Sequence, residues 1–277
     1  MKIGVLGLGL MGGSFAKAIN EKTSHDVLGF DSDKNAMKNA LLDGVIQEEL
    51  NQKNIKDCEL IVLAVNYNVA IDFVKENKEN IKGIVLDFCG VKRVVERELL
   101  PIAKEFKFPY LGGHPMAGRE RGGYENSFSQ LFKDSSMIFV ENETSKGIGS
   151  NLESLFRDIG FKNIVYTNSI DHDRIIAYTS QLAHIVSNSY VQSPTNDEEF
   201  GFSADSLKDL TRVATLDKDM WAELFFANKD NLCKEIRRIS SHLERYADAI
   251  EREEEEKLKD MLHSGCMAKK QMEDKRR

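Results

Sequence analysis

The chain has 277 residues, 41% of them hydrophobic and 30% charged, with a net charge of −7. That length favours two cores over one, and the acidic balance gives no electrostatic ground for binding nucleic acid. Glycines punctuate the apolar N-terminal run, which argues against a secretory signal, and no stretch approaches a membrane span.

In chain order, residues 2–7 (KIGVLG) are a short apolar run followed by Gly7, Gly9 and Gly12 at G-x-G-x-x-G spacing, with a helical pattern opening behind them. In that context the first glycine makes a tight turn, the second lets backbone approach a pyrophosphate, and the third lets helix pack on strand. Leu10 and Met11 begin the helix whose N-terminus faces the phosphates. The run 26–31 (DVLGFD) ends in Asp31, where a carboxylate accepts hydrogen bonds from ribose hydroxyls and repels a 2′-phosphate, pointing to NAD. The same DSD stretch also reads as a helix cap, with Ser32 or Asp33 capping NAMKNALL and Gly44 as its stop.

Further apolar runs follow at 58–65, 83–88, 108–113, 136–141 and 162–167, alternating with amphipathic stretches. Such alternation predicts a mostly parallel, doubly wound sheet of Rossmann type. Val65, in AVNYN, and the stretch DFCGVK fall at strand ends, where they are expected to line the nicotinamide half of a site.

After about residue 168 apolar residues recur at spacings of three and four, so the expected division is a dinucleotide-binding domain over 1–167 and a helical substrate and dimerisation domain over 168–277. The segment after residue 217 reads as one very long helix. Its stripe of Leu224, Phe225, Leu232, Ile236, Ile239, Leu243 and Ile250 suits packing against a second copy. The run EREEEEKLKD reads as a solvated face and the end, MAKKQMEDKRR, as a frayed terminus. The four cysteines are widely separated, without C-x-x-C or zinc spacing, so reduced thiols, a cytoplasmic setting and no metal site are expected.

His114 stands apart. It follows the run 108–113 within GGHPMAGRERGG, among glycines and charged residues rather than in an apolar setting. At a strand's carboxyl edge its imidazole suits accepting the proton of an alcohol being oxidised.

The blocks GLGLMGGS, DFCGVK, GGHPMAG, TSQLAH and DLTRVA, with the later tryptophan, resemble the prephenate/arogenate dehydrogenase family of tyrosine biosynthesis over residues 4–221. The resemblance implies NAD-linked oxidative decarboxylation of prephenate to 4-hydroxyphenylpyruvate by a homodimer, or the same reaction on arogenate. It assigns catalysis to His114, a substrate carboxylate to Arg212, and a gating ionic network to Glu120 with Lys208, Asp209 and Arg212. His184 and Trp221 would line the substrate pocket, although a lone tryptophan at helical spacing also reads as a core anchor. The family's serine position holds Gly90, with Cys89 before it, so the hydroxyl that would contact histidine and substrate is missing. Cys89 reads as a packing residue.

Without a chorismate mutase segment or an added regulatory domain, inhibition by tyrosine is expected at the active site itself. Dehydrogenases of β-hydroxy acids or imines share the domain plan but not GGHPMAG. A catalytically dead NAD-sensing dimer is the non-enzyme alternative, motivated by Gly90.

Overall fold

The structure is a computed structural model describing residues 1–119 and 121–275. The apolar runs become β1 (Lys2–Leu6), β2 (Asp26–Phe30), β3 (Glu48–Glu49), β4 (Leu60–Leu63), β5 (Ile84–Asp87), β6 (Tyr110–Pro115), β7 (Ser136–Val140) and β8 (Asn163–Thr167). Between them lie α1 (Leu10–Lys22), α2 (Lys34–Leu42), α3 (Tyr67–Asn77), α4 (Arg93–Phe106) and α5 (Ile148–Asp158). One sheet results, in the order β3-β2-β1-β4-β5-β6-β7-β8, parallel except between β6 and β7.

The strands read as near-continuous apolar runs because both faces are covered. Ile3, Val5, Leu60 and Val62 pack with Phe15 and Ile19 of α1 on one face. Leu6, Ile61, Leu63 and Val85 turn to the other, against Ile71 and Val74 of α3 and Val95 and Leu99 of α4.

Strand order reverses between β1 and β4, which opens a crevice beyond their carboxyl ends. The register pairs Leu6 with Leu63, Leu63 with Asp87, and Asp87 with Gly112. Gly7, Val65, Gly90 and His114 therefore come off one edge of the sheet.

After Thr167 the described residues form no strand. The chain continues as α6 (Ser169–Ile176), a π-helical turn (Ala177–Gln181), α7 (Leu182–Tyr190), α8 (Asp205–Thr211), α9 (Lys218–Ala227), α10 (Lys229–Glu251) and α11 (Glu255–Asp274). Among the described residues no helix is long and apolar enough to cross a membrane.

Several expectations need correction. His114 does not follow its strand but lies within it, paired with Ile138 of β7, because the antiparallel ladder carries β6 on to Pro115. The two-residue β3 has no apolar pattern and was not expected. The single long helix is three helices. The first break is at Asn228, whose buried side chain is captured by Asp173 and Gln181, and the second is where Glu253 adopts a left-handed backbone at φ 53°. The acidic run therefore straddles a turn, although Lys257 and Lys259 still pair with glutamates one helical turn back. The end is helical to Asp274 rather than frayed.

Phe156 is fully buried at the centre of an aromatic cluster, with ring centroids 5.1–6.4 Å from those of Phe139, Phe161, Phe15 and Phe88. Phe156→Ala is expected to cost about 3–5 kcal/mol in a urea titration, as large-to-small changes at well-packed aromatic sites do. A loss near zero would show that this cluster does not hold α5 to the sheet.

Candidate active site

The glycine-rich turn is shaped by close approach. Gly7 takes φ 87°, and a Cβ there would stand 2.5 Å from Val65 Cγ1. A Cβ on Gly12 would overlap the carbonyl oxygen of Gly7. Over Gly9 there is open space, with nothing within 4 Å of where a Cβ would stand. Leu10 and Met11, both partly exposed, open α1 directly behind that space.

Asp31 Oδ2 accepts the Leu8 amide at 2.6 Å and Oδ1 accepts the Asp33 amide at 2.9 Å. The helix cap itself is Asp33, which accepts from the Asn35 amide. Each carboxylate oxygen has lone-pair capacity beyond one amide, so Asp31 both braces the turn and can accept from a ribose. Turn, open space, helix N-terminus and carboxylate together fit a dinucleotide.

On the same edge, His114 Nδ1 lies 2.8 Å from His172 Nε2, and His172 Nδ1 lies 2.8 Å from Asp173 Oδ1. His172 and Asp173 are buried in the first turns of α6. Burial alone would raise the Asp173 carboxyl, but hydrogen bonds from His172 and from the Arg93 and Lys92 amides outweigh it and hold the group below the usual carboxylate range. Because the carboxylate only accepts, His172 must donate from Nδ1 and present a lone pair at Nε2. His114 must then donate from Nδ1, which leaves its own lone pair on Nε2.

Burial, with His172 and Lys92 nearby, pushes the His114 imidazole well below the ordinary histidine range. At neutral pH it is therefore an uncharged acceptor, as a general base requires.

A second buried group sets the strand that carries His114. Lys92 Nζ donates to Asp87 Oδ1 and, at 2.5 Å, to the carbonyl of Gly113, while Tyr110 Oη donates to Asp87 Oδ2 at 2.9 Å. Cys89, beside this pair, has its thiol pushed well up by burial and by Asp87, so it stays protonated and unreactive.

Gly90 lies at the same edge. A Cβ there would meet Leu224 Cδ2 of α9 at 3.3 Å, so α9 leans over the position where a serine side chain would begin.

His184 Nδ1 donates to the Val213 carbonyl at 3.0 Å, and its ring lies against Trp221 with centroids 4.1 Å apart and planes inclined at 47°. Trp221 in turn packs against Phe225 at 5.3 Å. Arg212, at the end of α8, is exposed, as are Lys208 and Asp209. Among the described residues no ion pair joins those three to one another. Glu120 lies outside the described residues.

Sequence reading missed His172, Asp173, Asp87, Lys92 and Tyr110. The signal available for the first two was a histidine flanked by aspartates, DHD, at the start of the first helix after the sheet.

The two histidines give a pH dependence with a definite sign. Both have folded-state pKa values pushed below the free value, so folded protein binds fewer protons than unfolded protein. Their contribution to stability is complete above about pH 6.5 and is lost as pH falls below it. Urea midpoints between pH 5 and 8 should fall on the acid side, and His172→Gln should flatten that fall. An unchanged acid slope in the variant would mean that His172 is not held neutral.

Residues 15–165 match the model of "Prephenate dehydrogenase, nucleotide-binding domain" and residues 168–264 that of "Prephenate dehydrogenase, dimerization domain". The chain is 26% identical to the prephenate dehydrogenase of Lactococcus lactis subsp. cremoris over 98% of its own length and 77% of that protein's. It is also 26% identical to that of Bacillus subtilis, over 91% and 71%. Among solved structures it is similar to prephenate dehydrogenase from A. aeolicus in complex with hydroxyphenyl propionate and NAD+, with a TM-score of 0.85, 25% identity and 98% of each chain covered. The fold is shared with Synechocystis arogenate dehydrogenase, TM-score 0.82 and 21% identity, over 98% of this chain and 100% of that one. With both halves matched in order over most of its length, the chain belongs to the prephenate dehydrogenase family.

Proposed function

We propose that this protein catalyses the NAD-dependent oxidative decarboxylation of prephenate to 4-hydroxyphenylpyruvate. The observation that carries the reading is the hydrogen-bonded chain from Asp173 through His172 to His114, ending in a neutral acceptor on the sheet edge that holds the glycine-rich turn. The A. aeolicus relative's structure, with a hydroxyphenyl acid and NAD+, supports the same choice of ligands.

Gly7, Gly9, Leu10, Met11, Gly12, Asp31 and Val65 would hold NAD, which when bound supplies the acceptor for the hydride leaving ring carbon C4. His114 Nε2 takes the proton of the C4 hydroxyl as that carbon becomes a carbonyl. The ring carboxylate then departs as carbon dioxide, its bonding electrons complete the aromatic ring, and His114 returns the proton to the phenolic oxygen. Asp173 and His172 keep the lone pair on Nε2 beforehand and stabilise the imidazolium between the two transfers.

Arg212 grips a substrate carboxylate with its planar guanidinium. His184 and Trp221 form the wall beside the side chain, and Gly90 leaves the ring hydroxyl to His114. Glu120, Lys208 and Asp209 gate the entrance, and tyrosine, a product analogue, competes at the same place. We divide the chain at 167/168 into a cofactor unit and a helical unit that pairs with a second copy in the cytoplasm. Leu243 and Ile250, 62% and 60% exposed on α10, give that pairing an apolar face.

Following NADH absorbance with prephenate or arogenate, each with NAD and NADP, tests the reading; the expected signal is prephenate with NAD. Preference for arogenate would change the substrate, and silence from folded, NAD-binding protein would favour the dead sensor. His114→Asn should lower kcat by about 10²–10⁴-fold with cofactor binding intact. Asp31→Ser should lose about 1.5–3 kcal/mol of NAD binding by calorimetry, the worth of hydrogen bonds to a charged group. Parent-like turnover by His114→Asn would remove that residue from the mechanism.

A further inference from the structure

Asp173 is held by more than His172. Its Oδ1 also accepts the Lys92 amide at 2.8 Å, and its Oδ2 accepts the Arg93 amide at 3.0 Å and Arg93 Nε at 3.3 Å. Lys92 and Arg93 begin α4, so a carboxylate from α6 caps a helix that packs on the sheet.

The guanidinium of Arg93 reaches onward to a third element. It donates from both terminal nitrogens to Asp230, at 2.8 and 2.5 Å, and to Asn228 Oδ1 at 3.1 Å. Its hydrogen bonds hold the Asp230 carboxyl down at about 2. Asn228 is fully buried and donates to the Asp173 carbonyl and to Gln181 Oε1, both at 2.8 Å. These two residues stand at the break where α10 begins, the helix that carries Leu243 and Ile250.

The geometry points to Arg93, acting through Asp230 and Asn228, as a positioning residue that makes the tautomer of the histidine pair depend on how α10 is seated. The hydrogen bonds of Arg93 run to Asp173, Asp230 and Asn228, and the proposed function gives neither Arg93 nor Asp230 a contact with substrate or cofactor. What they set is the Oδ2 side of the one anion that orders both imidazoles. A planar fork suits the task, since Nε and the two terminal nitrogens point to different partners from one rigid group. If α10 shifts, the fork follows Asp230 and leaves Asp173, and the carboxylate turns away from His172.

This inference rests on the reading of His114 as the base, and its test separates the two. Protein labelled with 15N-histidine reports imidazole tautomers without turnover, and steady-state assays with prephenate and NAD report rates. In the parent His114 should carry its proton on Nδ1. In Arg93→Ala and Asp230→Asn that signal should become a mixture, with kcat about tenfold lower, within the usual coupling of residues in one network, and with both KM values little changed. Asp230→Glu should recover most of the rate, and the double variant should be no worse than Arg93→Ala alone.

Unchanged tautomer and kcat in both single variants, with only a lower melting temperature, would make the ion pair a structural tie and overturn the inference. So would losses that multiply in the double variant. A parent with the ordered tautomer but no turnover of prephenate would instead sink the proposed reaction while leaving the positioning role standing on the spectra.

Discussion

One buried carboxylate organises this molecule. Asp173 is fully removed from water, and an isolated anion in that position is penalised by several kcal/mol. It is tolerated because four donors close around it, two of them amides at the positive end of α4. The arrangement is close to all-or-none, since each missing donor leaves a larger share of the desolvation uncompensated. The sheet side supplies three of the donors and the helical side supplies the anion and His172. Docking the two parts of the chain and fixing the protons on the imidazoles are thus a single event.

The second buried ion pair has a narrower task. Lys92 and Asp87 have side chains 1% and 0% exposed, and the ammonium also takes the carbonyl of Gly113, the residue before His114. The backbone entering His114 is therefore tied to β5 by a charge as well as by the sheet ladder. Adjacent residues divide the work: the Lys92 side chain holds β6, and its amide holds Asp173.

The nucleotide-binding half was legible because its rules are local. Strand runs covered on both faces, three glycines at fixed spacing and an acidic residue at the next strand's end are constraints spanning fewer than about 35 residues, so the pattern is written contiguously. His114 was legible through its odd setting. His172 and Asp173 were not, because their meaning lies in contacts with residues far away in the chain, while locally DHD is an ordinary polar helix start. The helix breaks were hidden for a related reason. Neither Asn228 nor Glu253 is a glycine or proline, and one of them turns the chain only because distant groups capture its side chain. Gly90 was recognised as a lost hydroxyl, but not as the place where Leu224 leans in, since packing across elements leaves no mark on spacing.

The π-helical turn at Ala177–Gln181 interrupts what is otherwise one continuous helix from Ser169 to Tyr190. Such a turn holds one residue more than the α-helical path needs, and each residue advances a helix by about 100°. The segment before it faces Lys92 and Arg93 with Asp173, and the segment after it faces Trp221 with His184. Losing that extra residue would turn the segment into plain α-helix with both sets of contacts still in phase, whereas the same loss elsewhere between them would rotate one set against the other by more than a quarter turn. The turn is therefore a place between Asp173 and His184 where the chain can absorb a change of one residue without changing which way either side chain faces.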